Sequence, residues 1–460
     1  MTTTGLHNKL QTLFLAASAA ASERIRSQGH PLTVEVGETH VERHDTGGWS
    51  TVQKKATRSI LAQDYPPMFT FAPLLTPAVV VTALECASGL VALPDVQLPF
   101  FSPFSANIGW FLDRGIGDVQ GDIPAYGDDP TGWTLGHVIW PALIHHLRSA
   151  GRLDGVGGEG AAAFASDVIE FARADHLTYR VTIPLSGIQL RANRKSGLPA
   201  RDAELWNLTT LEQGRLLEGW SGGPGRLLSA ELPSAALGIS VRSGRNDQGP
   251  ISIDHITDWL CAFHLHGFDL AGREAITELA PSWAGVSRTH TPLRTKERSR
   301  QWRTVTPADF QRVSQTVEKL QGYELNEPKS AHDFALHRFY LGSTRANPAD
   351  SLVDFVVALE SLLLPYDKTT KHGDLTFRFR MHGAHYLARR KSDRSEVHQQ
   401  LDQLYDIRSR LVHGGNKFPT PGEVEEKRQQ ASELASVGLL RALANGFPTV
   451  ADFKNLLLGA

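Results

Sequence analysis

The spacing of apolar residues along the chain changes near residue 300. Before that point, short apolar runs separated by glycine and proline predict strands, and longer runs with apolar residues every three or four positions predict helices. After it, nearly every apolar run has the helical spacing. The sequence therefore predicts an α+β multidomain protein, in which a mixed α/β N-terminal region precedes an all-α C-terminal bundle.

Three strands and four helices are predicted in the N-terminal region. The predicted strands are 79–84, 179–185 and 237–241. The predicted helices are 135–147, 161–174, 256–264 and an amphipathic N-terminal segment whose apolar side carries Leu10, Leu13, Phe14, Ala17 and Ala21. We expect two mixed α/β subdomains, 1–150 and 161–300, joined by a glycine-rich stretch between them.

Six helices are predicted in the C-terminal bundle, which we place at 305–447. The first begins at Thr306, which precedes a proline, and the sixth begins near Pro421. The fifth is predicted to end at 412, just before Gly414 and Gly415, because glycine commonly follows a helix. The other three predicted helices are 331–344, 348–364 and 375–390.

Composition limits the classes of protein that the chain can belong to. Apolar residues make up 41% and charged residues 21%, enough to bury a core, and the net charge is −2. Binding of nucleic acid through overall charge is therefore excluded, although a local basic site is not. The segment 287–303 has six Lys or Arg and one Glu, which suits either a solvated connector or a nucleic-acid contact.

The two cysteines and the apolar runs indicate a cytoplasmic protein. Cys86 and Cys261 are far apart and belong to no metal-binding pattern, so neither a disulfide framework nor a cysteine zinc site is predicted. No apolar run approaches the roughly 18 residues that a membrane span needs, so no membrane association is expected. The short run 13–21 lacks the charged start of a secretory signal.

Two further patterns have a functional and a structural interpretation. Residues 155–160 fit the GxGxxG pattern that cradles a dinucleotide phosphate, but the residues before them predict a helix end rather than a strand, which favours a flexible linker. Two histidine pairs, His145/His146 and His264/His266, have the chemistry of zinc ligands but no evident third ligand. Structural or solvated histidines are the favoured interpretation.

The strongest candidate for chemistry is the segment around Arg408 and His413. An imidazole can take a proton from a ribose 2′-hydroxyl or return one to a leaving oxygen. A guanidinium can bind the phosphate through two parallel hydrogen bonds as negative charge develops. Arg-x4-His occurs twice, and the other pair, Arg380/His385, lies within a predicted helix, whereas His413 lies where a helix is predicted to end. The alternative is an exposed arginine and a histidine that caps the helix.

The C-terminal third resembles the HEPN domains, and most closely the Apea-like HEPN family. The resemblance covers about 305–447. It rests on four segments in order: ALHRFY at 335–340, DSLVDFVVALESLL at 350–363, LTFRFRMHGA at 375–384 and YDIRSRLVHG at 405–414. Members typically carry an arginine in the fourth helix, a place that either Arg380 or His382 occupies here.

The resemblance implies a metal-independent endoribonuclease without a cofactor. In such proteins two copies of the bundle dimerise and bring two Arg-x4-His motifs into one RNA-cleaving cleft, and many act as toxins or antiviral effectors. Arg408 and His413 would then be catalytic, with RNA as substrate and the N-terminal region as a restraint that senses a trigger. Other HEPN proteins have lost the motif and serve as binding modules, which is the alternative function. Between 367 and 413 the net charge is +4, which favours RNA binding.

Three neighbouring residues have open roles. Glu360 either orients an arginine in the cleft or forms a buried ion pair with Arg378 or Arg380. Arg410 either contacts the RNA backbone or faces solvent. Tyr405 is expected to pack inside the bundle.

Overall fold

The structure is a computed structural model, and it describes most of the chain. The described residues are 2–28, 33–43, 49–59, 77–93, 134–149, 157–191, 197–218, 232–244, 253–272, 274–280, 289–293, 299, 301–365, 375–414 and 418–458. Of the six basic residues in the segment 287–303, only Arg303 is among these residues, and Gly155, Val156 and Gly415 also lie outside them. The fold is α+β, with a strand-containing N-terminal region followed by a helical C-terminal region, as the sequence predicts.

Four helices form the first buried core. They are α1 (Thr3–Gln28), α2 (Pro77–Val91), α3 (Trp140–Ser149), which continues a π-helical turn at Leu135–Ile139, and α4 (Gly158–Arg173). The apolar positions of α1 that the spacing singles out are all buried in this core, because a period of three to four places them on one face. An antiparallel hairpin, β1 (Thr33–Arg43) and β2 (Trp49–Ser59), follows α1 in the chain.

The predicted strand at 79–84 is wrong, because these residues lie in α2. Val79, Ala83, Cys86, Ala87 and Leu90 are buried at helical intervals. The run of valines led to the strand prediction, yet a short apolar run alone cannot distinguish a buried strand from a buried helix. The helical prediction at 135–147 is confirmed.

A six-stranded antiparallel sheet forms the centre of the second part. The two other predicted strands lie inside β3 (His176–Leu185) and β7 (Ala235–Gly244), and both are confirmed. The remaining strands and the helix in this part are β4 (Ile188–Gln189), β5 (Leu198–Pro199), β6 (Ala203–Asn207), α5 (Thr210–Glu218), β8 (Glu274–Ala280) and β9 (Thr289–Pro292). The strand order of the sheet is β5-β6-β7-β3-β8-β9, which places β3 and β7 in its middle.

Helix α6 (Ile253–Leu265) connects the core of the sheet to the helical region. The Trp259 ring stacks on Phe310 of α7 (Pro307–Leu320), with ring centroids 5.6 Å apart. One cluster of buried apolar residues extends from Val181 in β3 to Phe453 near the end of the chain. A short parallel pairing of β10 (Arg303–Thr304) with β4 also joins the two parts.

All six helices predicted for the C-terminal region are present. They are α7, α8 (Ala331–Thr344), α9 (Pro348–Leu363), α10 (Leu375–Leu387), α11 (Arg394–His413) and α12 (Pro421–Asn445). The start of α7 carries a capping box, in which Thr306 and Asp309 satisfy each other's backbone N–H groups. A seventh helix, α13 (Val450–Leu458), follows and was not predicted.

Among the described helices, no single one has both the length and the apolar character of a membrane span. Helices α12 and α13 meet that criterion only when taken together, and the chain bends by 106° between them.

Candidate functional site

Helix α11 carries the candidate motif and is fixed in the bundle by one apolar face. Val397, Leu401, Leu404 and Ile407 are buried along that face. Helix α10 runs antiparallel to it, since Arg380 reaches Asp402 and the Phe379 ring lies 5.9 Å from the Tyr405 ring. The first turn of α10 therefore lies beside the last turns of α11. Tyr405 packs in the bundle, as predicted.

Arg408 lies at the edge of the core and faces α9. Its Nη2 is 3.7 Å from Oε2 of Glu360, and its side chain is 24% exposed. Burial raises the pKa of the Glu360 carboxyl above its ordinary value, and the neighbouring Arg408 charge partly opposes that shift. The Nε of Arg408 is buried without a hydrogen-bond partner among the described residues.

This pairing corrects the predicted partner of Glu360. Among the described residues, Glu360 forms no ion pair with Arg378 or Arg380, the alternative considered from the sequence, and Arg380 instead pairs with Asp402 at 2.6 Å. Of the two roles considered for Glu360, the contact to Arg408 fits the one in which it orients an arginine of the candidate cleft. The rotation of α9 and α11 about their axes decides this pairing, and the sequence alone does not reveal it.

His413 is the last residue of α11 and is exposed. The next residue, Gly414, has φ of 68°, a left-handed conformation that glycine adopts readily, and the chain leaves the helix there. The helix thus extends one residue further than predicted. Because His413 is still helical, its side chain and that of Arg408 leave the axis about 140° apart and about 7.5 Å along it. In one copy of the chain they point in different directions.

Arg410 joins α11 to the start of α12. Its Nη2 donates a hydrogen bond to Oε1 of Glu423 at 2.9 Å, and its Nε lies 3.0 Å from Oδ2 of Asp406. The guanidinium therefore already has two carboxylate partners. To contact an RNA phosphate it would have to exchange one of them. Neither carboxylate was singled out in the sequence, although Asp406 stands four residues before Arg410, the spacing of a helical ion pair.

His382, and His385 of the other Arg-x4-His pair, contact the C-terminal helix α13. His382 is buried, stacks on Phe453 with ring centroids 4.2 Å apart, and bonds the Leu363 carbonyl through Nδ1. His385 bonds the Leu456 carbonyl in the same way. Burial lowers the pKa of both imidazoles. These two histidines attach α13 to α10, away from the end of the bundle where His413 lies.

Two of the segments on which the resemblance rests, 335–340 and 350–363, are joined by an internal ion pair. Asp354 of α9 is almost fully buried and accepts hydrogen bonds from Arg338 at 2.6 Å and Arg345 at 3.0 Å. These contacts join α8 and the residue that follows it to α9.

The remaining candidates are engaged in local structure. His146 lies 3.0 Å from Asp167, His264 bonds the Phe268 carbonyl, and His266 bonds Thr316. Within the described ranges, no three His, Cys, Asp or Glu side chains are grouped as metal ligands. Gly157 precedes α4, and the nearest described residues before the glycine stretch end helix α3 rather than a strand.

No family model, no curated protein and no solved structure matches this chain.

Proposed function

We propose that this protein is a metal-independent endoribonuclease of the HEPN type. The observation that supports the proposal most strongly is the different placement of the two motif side chains. Arg408 is oriented by a carboxylate at the edge of the core, whereas His413 is exposed where α11 ends. A fixed cation and an accessible proton carrier are the two groups that the reaction requires.

In the proposed reaction, His413 acts as the general acid and base. An imidazole takes the proton of a ribose 2′-hydroxyl, and the 2′-oxygen forms a bond to phosphorus. The bond from phosphorus to the 5′-oxygen breaks, and that oxygen receives a proton. Arg408 binds the phosphate oxygens while their charge grows. The products are a 2′,3′-cyclic phosphate and a 5′-hydroxyl, and no water, metal or cofactor is consumed.

A second copy of the chain completes the proposed site. Because Arg408 and His413 leave α11 in directions about 140° apart, one motif does not place both side chains on the same phosphate. Two motifs that face each other allow the histidine of one copy to act beside the arginine of the other. We therefore propose a homodimer formed through the C-terminal bundle, with the N-terminal region restraining the nuclease until a trigger binds.

One observation favours a different function, that of a non-catalytic binding module. Both arginines of the motif region already face carboxylates, Arg408 with Glu360 and Arg410 with Asp406 and Glu423. Three carboxylates around two arginines leave no surplus of positive charge at these contacts. A bundle that binds a protein partner would need no such surplus.

The test compares the two Arg-x4-His pairs in the full chain. We expect the Arg408→Ala and His413→Ala variants to lose cleavage of a single-stranded RNA by at least about a hundredfold. The matched control is the Arg380→Ala/His385→Ala double variant, which removes the same residue types at the same spacing and should retain most of the activity. Full activity in both motif variants, with folding intact, would instead support the binding module. EDTA should not abolish cleavage.

A further inference from the structure

Helix α13 is attached to the bundle by one buried side chain. Within Val450–Leu458, only Phe453 is buried. Its ring lies flat on the His382 ring of α10, with centroids 4.2 Å and planes 5° apart, and it contacts the Tyr386 ring edge-on. One aromatic contact is a small anchor for a whole helix, whose backbone loses conformational freedom when it docks. Elements with so few buried contacts open at a low free energy, so the attachment of α13 is sensitive to a change at this contact.

Gly446 separates α13 from α12. It follows Asn445, the last residue of α12, and has φ of 91°, a left-handed conformation that suits glycine. The chain bends by 106° between the two helices. At the start of α13, Thr449 and Asp452 accept hydrogen bonds from each other's backbone N–H groups, so local contacts complete the first turn. Helix α13 can therefore leave the bundle without disturbing α12.

The His382 imidazole is neutral while α13 is docked. Its Nδ1 donates a hydrogen bond to the Leu363 carbonyl at 2.7 Å, and its Nε2 has no hydrogen bond with any described residue. A second proton would go to Nε2, on a side chain that is only 6% exposed. The new N–H and its charge would have no acceptor and little water. Attraction of the cationic ring to the face of Phe453 would offset only part of that cost.

The surroundings of His382 also oppose its protonation. Burial, the largest cause, lowers the pKa of the His382 imidazole below its ordinary value of 6.5. The charges of Arg378, one turn earlier on α10, and of His385, one turn later, lower it further, and the hydrogen bond to the Leu363 carbonyl opposes them. Among the described residues, no carboxylate acts on this ring. A protonated His382 would therefore be an uncompensated buried charge in the docked structure.

Charged side chains on the helices around α10 face other partners or solvent. They are Glu360 of α9 with Arg408, Asp402 of α11 with Arg380, Arg441 of α12 with the Tyr386 ring, Asp452 of α13 with Thr449, and the exposed Lys454 of α13. Burial and the charges of Arg394 and Lys391 lower the pKa of His385. Its Nδ1 donates a hydrogen bond to the Leu456 carbonyl at 3.1 Å, and a cationic ring keeps that N–H. The contact of His385 with α13 thus survives protonation, whereas the contact of His382 does not.

We propose that His382 is a pH-operated latch, which holds α13 on the bundle while its imidazole is neutral and releases the helix when its imidazole is protonated. Once α13 has left, the ring reaches water, so the released state binds the proton more tightly than the docked state. Docking is therefore strongest above about pH 6.5 and weakens as the pH falls below that value. Release uncovers the faces of His382 and Tyr386 that Phe453 covers. The latch does not depend on the proposed nuclease function.

Hydrogen exchange of the full chain at about pH 8 and about pH 5 tests the latch. The protection factor is used because it corrects for the direct effect of pH on exchange. For the backbone amides of α13 it should fall several-fold between the two pH values, because the helix opens more often once His382 is protonated. For the amides of α9 it should not fall. Protection of α13 that is as high at the lower pH as at the higher one overturns the proposal.

Two variants assign the proton to one imidazole. His382→Phe keeps a flat ring against Phe453 but cannot bind a proton, so α13 should stay protected at both pH values. The matched control is His385→Asn, which retains a side-chain donor for the Leu456 carbonyl and should show the pH dependence of the wild type. A pH dependence that persists in His382→Phe, or that disappears in His385→Asn, assigns the proton to a different group and overturns the proposal.

A reciprocal measurement keeps His382 in place. The His382 ring is followed by NMR of the histidine side chains, and its signal is identified by its absence from His382→Phe. In Phe453→Ala the ring loses its cover, so its titration should move to a higher pH than in the wild type. Lys454→Ala, which changes the exposed neighbour of Phe453, should leave the titration where it is. An unchanged titration in Phe453→Ala shows that docking and protonation are not linked, and overturns the latch even if His382→Phe fails to hold α13.

Discussion

The Arg408 guanidinium lies 3.7 Å from the Glu360 carboxylate, and this contact links α11 to α9 at the residue on which the proposed chemistry depends. The Glu360 carboxyl is mostly buried, which raises its pKa, and the charge of the neighbouring Arg408 guanidinium partly opposes that shift. A buried acidic partner restricts the directions in which the arginine can point. Glu360 is thus a positioning residue in the proposed site.

Replacing Glu360 with glutamine tests this role. Glu360→Gln keeps the size of the side chain but removes the charge that orients Arg408, so we expect kcat to fall about tenfold, equivalent to about 1.4 kcal/mol. The KM for RNA should change less. Asp402→Asn, which removes the partner of Arg380 on the outer face of α11, is the control and should leave kcat unchanged. Equal effects of the two substitutions would contradict a positioning role.

The ion pairs of Asp354 predict a loss of stability without a specific loss of chemistry. Asp354 is 3% exposed and bonds two arginines. Asp354→Ala should lower the free energy of unfolding by about 2 kcal/mol, less than for a fully buried pair because both arginines can reach water. Asp402→Ala, which breaks a more exposed pair, should lower it by less than about 1 kcal/mol. Urea denaturation of both variants measures the difference, and the reverse order would contradict the assignment.

A close helix contact predicts the effect of adding one methyl group at Gly342. A Cβ there would lie 2.8 Å from Cδ1 and 2.9 Å from Cε1 of Phe355, a buried ring that cannot move aside easily. Gly342→Ala should therefore lower the free energy of unfolding by about 1–2 kcal/mol despite the better helix propensity of alanine. Gly422→Ala, at an open position of α12, should be neutral or slightly stabilising. Thermal melting of the two variants provides the comparison.

The sequence predicted the helices of the C-terminal region well because their starts carry local signals. Thr306 before α7, Ser330 before α8 and Thr420 before α12 each accept a hydrogen bond from the first turn of the helix. Such caps depend on residues three positions apart, so they can be identified in a sequence. The division of the chain into 1–150, 161–300 and 305–447 stays a prediction.

Contacts between segments that are far apart in the chain could not be predicted from the sequence. From the sequence, Glu360 either paired with Arg378 or Arg380 or oriented an arginine in the cleft, and only the packing of α9 against α11 brings it to Arg408. The valine run in α2 was mistaken for a strand because β-branched residues favour strands while burial on one helix face favours the observed structure. The hypothesis that Arg408 and His413 form a site came from residue chemistry and from the predicted helix end, which are both local properties, and it stays a prediction.

A buried carboxyl in α6 makes stability depend on pH. Asp258 is 5% exposed, and its Oδ1 has no hydrogen-bond partner among the described residues. Burial raises its pKa from 3.8 to about 7, and the charge of Asp254, one helical turn earlier, adds to the shift. The folded state therefore binds the proton more tightly than the unfolded state. The neutral Asp258 carboxyl therefore makes its full contribution to the free energy of unfolding below about pH 4. This contribution is lost as the pH rises from about 4 to about 7.

Asp258→Asn should remove this pH dependence, because an amide stays neutral at every pH. We expect the free energy of unfolding of the variant, relative to that of the wild type, to be higher at pH 8 than at pH 5 by up to the order of 3 kcal/mol. Glu318→Gln, which removes an exposed carboxylate from α7, should show no such difference between the two pH values. Urea denaturation at pH 5 and pH 8 measures all three proteins. A variant that is less stable than the wild type at pH 8 would show that the Asp258 carboxylate is favourably paired in the folded protein.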